Sequence, residues 1–269
     1  MKYNMKLLLV CVTEGKFPQM ESVWHDLFNK ICGDSSELVI RDTTPGLTRV
    51  QDLVYSWGRM QNSRSFCERA IEAQREGFDA VTTTCTGDVG VREAREVVDI
   101  PVIAPGQSTL HYACLLGDKF GIIGPNERGG ALGWGQVVSS YGLQSKAIVN
   151  PVRRSRVPLV DAATKGFDNP SMIINDVEEV AKELVNDGAE VVIIGCGVSA
   201  PICTINGFVK LDEDVPLLDP ISMAFKTAQQ VVELKNSLGL PALSRAGMYP
   251  RIPDKHLQRI REHVGLARQ

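Results

Sequence analysis

The amino-acid sequence predicts an α/β fold of two pseudo-symmetric lobes, each a four-stranded parallel sheet flanked by helices, with the active site in the cleft between the lobes. Two observations support this prediction. Short apolar runs alternate with longer helical segments along the 269 residues, and the second half repeats the plan of the first. Continuous apolar runs separated by helices are typical of a parallel sheet covered on both faces.

The first half contains four apolar runs that predict strands, and amphipathic or capped segments between them that predict helices. The strands are expected over 7–12, 37–41, 80–85 and 101–104, and the helices over 18–32, 59–76 and 89–98. The second half continues with strands over 119–124, 147–149, 190–196 and 215–219, and with helices in 129–142 and over 176–187. Five glycines weaken the helical pattern of 129–142.

The two halves align by simple arithmetic. The segment REGFDAVTTTC matches NDGAEVVIIGC, so that Cys85 corresponds to Cys196 (196 − 85 = 111). Further on, DIPVIAPG matches DVPLLDPI with an offset of 115 (216 − 101 = 115). Pro105 and Pro220 follow the last strand of each half, which predicts that the next helix crosses to the other lobe. The expected lobes are therefore 1–106 with 221–269, carrying Cys85, and 107–220, carrying Cys196.

Composition excludes several classes of partner. The net charge is −3 with acidic and basic residues interspersed, so neither nucleic acid nor a charged membrane surface is expected to bind. No apolar window reaches the roughly 18 residues that span a bilayer. Seven cysteines without a C-x-x-C pair predict free thiols in the reducing cytoplasm. The expected partner is a small-molecule substrate, and a homo-oligomer is allowed but not required.

Cys85 and Cys196 are the candidate catalytic residues because both end the third strand of their half. Ligands of open α/β sheets bind at the carboxyl ends of such strands. Asp88 and Ser199, three residues after each cysteine, are good helix N-cap residues. A helix N-terminus stabilises an anion, so we expect a thiol pKa lowered towards neutrality.

The remaining cysteines are interpreted as packing residues, since cysteine behaves as a small hydrophobe. Cys11 alone is expected near the cleft, without a role, while Cys32, Cys67, Cys114 and Cys203 are assigned to the core. No cofactor and no metal are predicted. The four histidines lack zinc-site spacing, no G-x-x-x-x-G-K-[ST] loop occurs, and no lysine adjoins either cysteine loop.

The segments TTTCTGDVGVREAREVVDIPVI and AEVVIIGCGVSAP resemble the aspartate/glutamate/hydantoin racemase superfamily, and within it the hydantoin and allantoin racemases. The resemblance runs from the first strand to about position 236. It implies two α/β lobes, a site between them, two catalytic cysteines and no cofactor. Thr86 and Gly87 replace the Asn-Thr that follows the first cysteine in amino-acid racemases, and Val12-Thr13-Glu14 replaces the Asp-Ser-Gly of glutamate racemases. Both differences disfavour a free amino acid as substrate.

The resulting expectation is a cofactor-independent racemase or epimerase that uses two cysteines as acid and base on a carbon next to a carbonyl, with a hydantoin-like substrate. Backbone N–H groups and hydroxyls of the surrounding loops are expected to bind substrate; these residues are Thr13, Thr86, Gly87, Gly197, Val198 and Ser199. Two alternatives stay open. One is a maleate-type cis–trans isomerase or another enolate-forming enzyme of the superfamily. The other is a non-catalytic two-lobed protein that binds a small ligand.

Overall fold

Four short strands form the first sheet, and their apolar side chains are buried by helices on both faces. The computed structural model describes residues 4–15, 17–212 and 214–266. The strands are β1 (Lys6–Val10), β2 (Glu37–Arg41), β3 (Ala80–Thr83) and β4 (Val102–Ile103). They are all parallel and lie in the order β2-β1-β3-β4. This sheet agrees with the four-stranded prediction.

The second sheet has five strands in the described part of the chain, one more than predicted. The strands are β5 (Phe120–Gly124), β6 (Ala147–Arg154), β7 (Val191–Ile194), β8 (Lys210–Leu211) and β9 (Val215–Leu218). Their order is β6-β5-β7-β9-β8, and only β8 is antiparallel. The extra residues of the second half explain this correction. They lengthen the connection before β9, and that connection folds back as a hairpin against the sheet edge.

The duplication is preserved in the strand register. Val81 pairs with Val102 in the first sheet, and Val192 pairs with Leu217 in the second. These partners are related by the offsets of 111 and 115 that the sequence predicts. With the antiparallel β8 left out, both sheets also share the order second, first, third, fourth strand. The two halves are therefore structural repeats.

Ten helices occur in the described ranges, and most agree with the predicted segments. They are α1 (Pro18–Cys32), α2 (Ser56–Arg75), α3 (Val91–Val97), α4 (Pro105–Leu116), α5 (Arg128–Ser140), α6 (Leu159–Lys165), α7 (Pro170–Asn186), α8 (Ser199–Ile205), α9 (Pro220–Leu238) and α10 (Asp254–His263). Helix α7 begins earlier than predicted because Pro170 supplies its first turn. None of these helices is long and apolar enough to cross a bilayer.

Helices α4 and α9 each pack against the sheet of the other half. Leu110 and Ala113 of α4 are buried with Phe120 and Ile122 of β5. Ile221 and other α9 residues are buried with β1 residues. The lobe boundaries 1–106 with 221–269 and 107–220 stay a prediction, and residues 1–3 and 267–269 lie outside the described part of the chain.

The C-terminal segment is fixed to the first half by arginines. The Arg245 guanidinium donates to the carbonyl oxygens of Arg95 at 2.5 Å and Val98 at 2.6 Å. Arg261 is buried and pairs with Glu68 of α2 at 2.6 Å. These bonds end on α2, α3 and the turn after α3. The C-terminal segment is therefore held against helices α2 and α3 of the first half.

Candidate functional site

The two candidate thiols lie in loops, two residues beyond the strands that were expected to end at them. β3 ends at Thr83 and β7 at Ile194, so Cys85 and Cys196 follow at equivalent positions. The residue before each cysteine still bonds to the neighbouring strand: Thr84 N–H donates to the Val10 carbonyl at 3.0 Å, and Gly195 N–H to the Ile123 carbonyl at 2.8 Å. The two loops therefore leave their sheets in the same way.

The cysteine loops of the two halves are in direct contact. The Thr86 hydroxyl donates to the Gly195 carbonyl at 3.0 Å, and Trp134 Nε1 donates to the same oxygen at 2.8 Å. A Cβ on Gly197 would lie 2.5 Å from the Thr84 carbonyl oxygen, so only glycine permits this approach. The Thr86 side chain thus links the Cys85 loop to the Cys196 loop by a hydrogen bond.

A cavity of about 990 Å³ opens beside both loops. The predicted site residues that line it are Thr13, Cys85, Thr86, Gly87, Cys196, Gly197 and Val198. Ser199 is buried and is not among the lining residues. Its substrate-binding role stays a prediction. Its expected role as N-cap is wrong, because Ser199 is the first residue of α8 and Val198 precedes it as the cap.

The surroundings of the Cys85 thiol act on its pKa in opposite directions. Burial raises its pKa, and the neighbouring Asp88 carboxylate acts in the same direction. The backbone N–H groups of Val89 and Gly87 donate to the sulfur and lower the pKa, as does the charge of Arg59. Desolvation is the largest of these effects, so the expectation of a thiol pKa lowered towards neutrality is wrong for Cys85.

Asp88 does not cap the helix that follows it. Gly90 precedes α3 as its cap residue. The Asp88 carboxylate reaches α4 and accepts from Gly106 N–H at 2.7 Å and Gln107 N–H at 2.8 Å. The Tyr141 hydroxyl donates to it at 2.9 Å. Burial still raises the pKa of Asp88 from 3.8 to about 6.

Two further thiols line the cavity, Cys11 and Cys67. Cys67 was assigned to the core, and its position in the cavity wall was missed. Burial raises the pKa of both thiols to about 12. Both are therefore poor sources of thiolate near neutral pH.

Arg59 is a cavity residue that the sequence did not single out. Its guanidinium donates to the Leu53 carbonyl at 3.2 Å and to Ser56 Oγ at 3.1 Å, and so fastens a 3₁₀ segment, Val50–Val54, at the cavity wall. Its charge also favours the Cys85 thiolate. Only its position on α2, one turn after the helix begins, could have suggested such a role.

Two residues of the cavity wall carry buried polar atoms that have no hydrogen-bond partner among the described residues. Trp24 is 4% exposed and its Nε1 is unpaired. Glu127 uses Oε1 to accept from Leu159 N–H at 3.3 Å, while its Oε2 is unpaired. Such atoms are costly to bury unpaired, and both are closed to solvent, so a ligand would reach them only after a local shift of the cavity wall. Within the described ranges, no three His, Cys, Asp or Glu side chains form a group that could hold a metal ion.

The sequence of the chain matches a known family over most of its length. A family model described as Asp/Glu/Hydantoin racemase matches residues 31–228. The chain belongs to this family. The hydantoin racemase of Pseudomonas sp. (strain NS671) is 28% identical over 167 residues, 62% of this chain. The hydantoin racemase of Paenarthrobacter aurescens is 26% identical over 175 residues, 62% of this chain and 67% of that protein.

The chain spans 64% of the length of the Pseudomonas relative.

Solved structures share the fold. The allantoin racemase from Klebsiella pneumoniae has a TM-score of 0.72 at 17% identity, over 93% of this chain and 95% of that one. The allantoin racemase from Pseudomonas fluorescens has a TM-score of 0.70 at 20% identity, over 93% and 99%. The predicted resemblance to hydantoin and allantoin racemases is confirmed.

Proposed function

We propose that this protein is a cofactor-independent racemase or epimerase that inverts a carbon next to a carbonyl in a hydantoin-like compound. The observation that carries the proposal is the pair of thiols, Cys85 and Cys196, which lie at equivalent positions of the two repeats and line one cavity. A protein that only binds a ligand has no need of two such thiols.

In the proposed reaction one cysteine acts as thiolate and the other as thiol. The thiolate removes the proton from the carbon next to the carbonyl, and the electron pair moves onto the carbonyl oxygen as an enolate. The other thiol then delivers its proton to the opposite face of the carbon. The roles exchange with the hand of the substrate, and neither metal nor cofactor takes part. The site of reaction is the cavity between the halves.

The unpaired atoms of the cavity wall support a substrate with both acceptors and donors. Trp24 offers an N–H group and Glu127 offers a carboxylate oxygen. A hydantoin ring presents carbonyl oxygens and N–H groups, the two kinds of partner that these atoms lack. Relatives named as hydantoin racemases support the same substrate class.

The proposal is tested by incubating single enantiomers of 5-substituted hydantoins with the purified protein and following the loss of optical rotation. Rotation should decay to zero without added pyridoxal phosphate and in the presence of a metal chelator. Free aspartate and glutamate serve as comparison substrates and should keep their rotation. Stable rotation for every hydantoin, or a decay that requires pyridoxal phosphate or a metal, would overturn the proposal.

A further inference from the structure

Asp88 connects the Cys85 loop with two elements of the second half of the chain. Its carboxylate accepts from two N–H groups in the first turn of α4 and from the hydroxyl of Tyr141, which directly follows α5. Hydrogen bonds to an ionised acceptor are stronger than neutral ones. The Asp88 side chain thus fastens the Cys85 loop to α4 and to Tyr141.

The close approach of α4 to this loop depends on Gly106. A Cβ at position 106 would lie 2.6 Å from the Thr86 carbonyl oxygen and 2.8 Å from Asp88 Oδ2. Both distances are shorter than real Cβ contacts. The helix terminus and the loop are therefore fitted to each other at the backbone level.

The backbone of Asp88 governs the donors to the Cys85 sulfur. Asp88 has φ 57°, in the left-handed region, and it lies between Gly87 and Val89, whose N–H groups both donate to the sulfur. Neighbouring N–H groups that converge through a left-handed residue form a concave site for an anion. Asp tolerates this conformation better than most residues.

We infer that Asp88 is a positioning residue for Cys85: its carboxylate, docked on α4 and Tyr141, keeps the N–H groups of Gly87 and Val89 directed at the Cys85 sulfur. The inference rests on the proposed function, since it concerns one of the two proposed catalytic thiols. Its readout is the reactivity of the thiol, so it can fail while the racemase proposal stands.

Asp88 also has an opposing effect through its charge, which disfavours the thiolate. The two backbone donors affect the Cys85 pKa more than this charge does. The charge of Arg59 acts on Cys85 and that of Arg95 acts on Asp88, and a substitution of Asp88 leaves both residues unchanged. Loss of the carboxylate should therefore make Cys85 less reactive, whereas a purely electrostatic role would make it more reactive.

The test is Asp88→Asn, which offers one acceptor oxygen where the carboxylate offers two. Iodoacetamide labelling of Cys85 and Cys196 is followed by peptide mass spectrometry across the neutral and mildly alkaline pH range. We expect Cys85 to react about tenfold more slowly than in the unaltered protein and its pH profile to move upwards, because an anion loses hydrogen-bond donors. Cys196 in the same samples is the internal control and should keep its rate.

Faster labelling of Cys85, an unchanged rate, or equal slowing of both cysteines would overturn the inference. Tyr141→Phe provides a second, milder test that keeps the aromatic ring and removes one of the donors to Asp88. It should slow Cys85 about threefold, the effect of one net hydrogen bond. The matched control is Tyr112→Phe on the exposed side of α4. Equal labelling rates of Cys85 in Tyr141→Phe and Tyr112→Phe would also overturn the inference. This pair of variants supplies the test if Asp88→Asn does not fold.

Discussion

Helices α4 and α9 start from the same backbone geometry but are capped in different ways. Ala104 and Asp219 occupy equivalent positions before them, and both have φ −97° and ψ 114°. Asp219 accepts from Ile221 N–H at 2.9 Å and so caps its own helix. The side chain of Ala104 has no acceptor, and the Asp88 carboxylate of the Cys85 loop accepts from the first turn of α4 instead. One repeat caps its helix locally, whereas the other couples the cap to a candidate catalytic loop.

The residue after the proline shows what this coupling requires. Gly106 and Ile221 are equivalent by the offset of 115. At position 106 a side chain would collide with the Cys85 loop, while Ile221 is fully buried against the first sheet. The repeats have thus diverged where one of them supports a thiol, and their strand register has not changed. The comparison predicts that the two thiols are both needed but are differently supported.

The largest effect is expected from removing either thiol. Cys85→Ser and Cys196→Ser should each lower racemisation of both enantiomers by at least about 10²–10⁴-fold, the contribution of general acid–base catalysis. Turnover is measured by polarimetry. Cys114→Ser on α4, outside the cavity wall, is the matched control and should keep its activity. Near-normal turnover in Cys85→Ser or Cys196→Ser would contradict equal need for the two thiols.

The next effect concerns the buried cap of α9. Burial raises the pKa of Asp219 from 3.8 to about 6. The protonated carboxyl is favoured by the folded protein, so it stabilises the fold fully at a pH below the pKa of Asp in the unfolded chain. This stabilisation is lost as the pH rises through the higher pKa of the folded protein. The free energy of unfolding should therefore fall by about 3 kcal/mol from about pH 4 to above pH 6 on account of this carboxyl. Asp219→Asn keeps an N-cap acceptor and should remove this fall in urea titrations; an unchanged pH dependence would contradict it.

A smaller effect is expected from filling the gap between α4 and the Cys85 loop. Gly106→Ala should lower the free energy of unfolding by about 1–3 kcal/mol, because overpacking moves backbone that has no free space. It should also slow labelling of Cys85. Gly135→Ala on α5 meets no atom within 4 Å and is the control. If Gly106→Ala is as stable as Gly135→Ala, the close approach of loop and helix is not required.

The smallest effect is expected at the unpaired donor of the first half. Trp24→Phe keeps a buried aromatic ring and removes the N–H group, so KM for a hydantoin should rise about five- to tenfold with kcat nearly unchanged. Trp57→Phe, at a side chain that is 70% exposed, is the matched control. A KM that stays the same in Trp24→Phe would show that this N–H does not bind substrate.

The repeat, the order of elements and the two thiols could all be predicted from the sequence, because equivalent strands carry the same pattern at fixed offsets. The support of Cys85 could not. Asp88 looks like a local N-cap, but its partners lie 18, 19 and 53 residues away and are set by tertiary packing. The raised pKa of Cys85 has the same origin, since burial outweighs the backbone donors that the sequence suggests.

The most direct test of two thiols acting on opposite faces is isotope exchange in the cysteine variants. Each enantiomer of a 5-substituted hydantoin is incubated in D₂O with Cys85→Ser or Cys196→Ser, and deuterium at the carbon next to the carbonyl is measured by NMR. Each variant should exchange the proton of one enantiomer only, since one base remains, and the two variants should prefer opposite hands. Exchange of the same hand by both variants would contradict the assignment of one cysteine to each face.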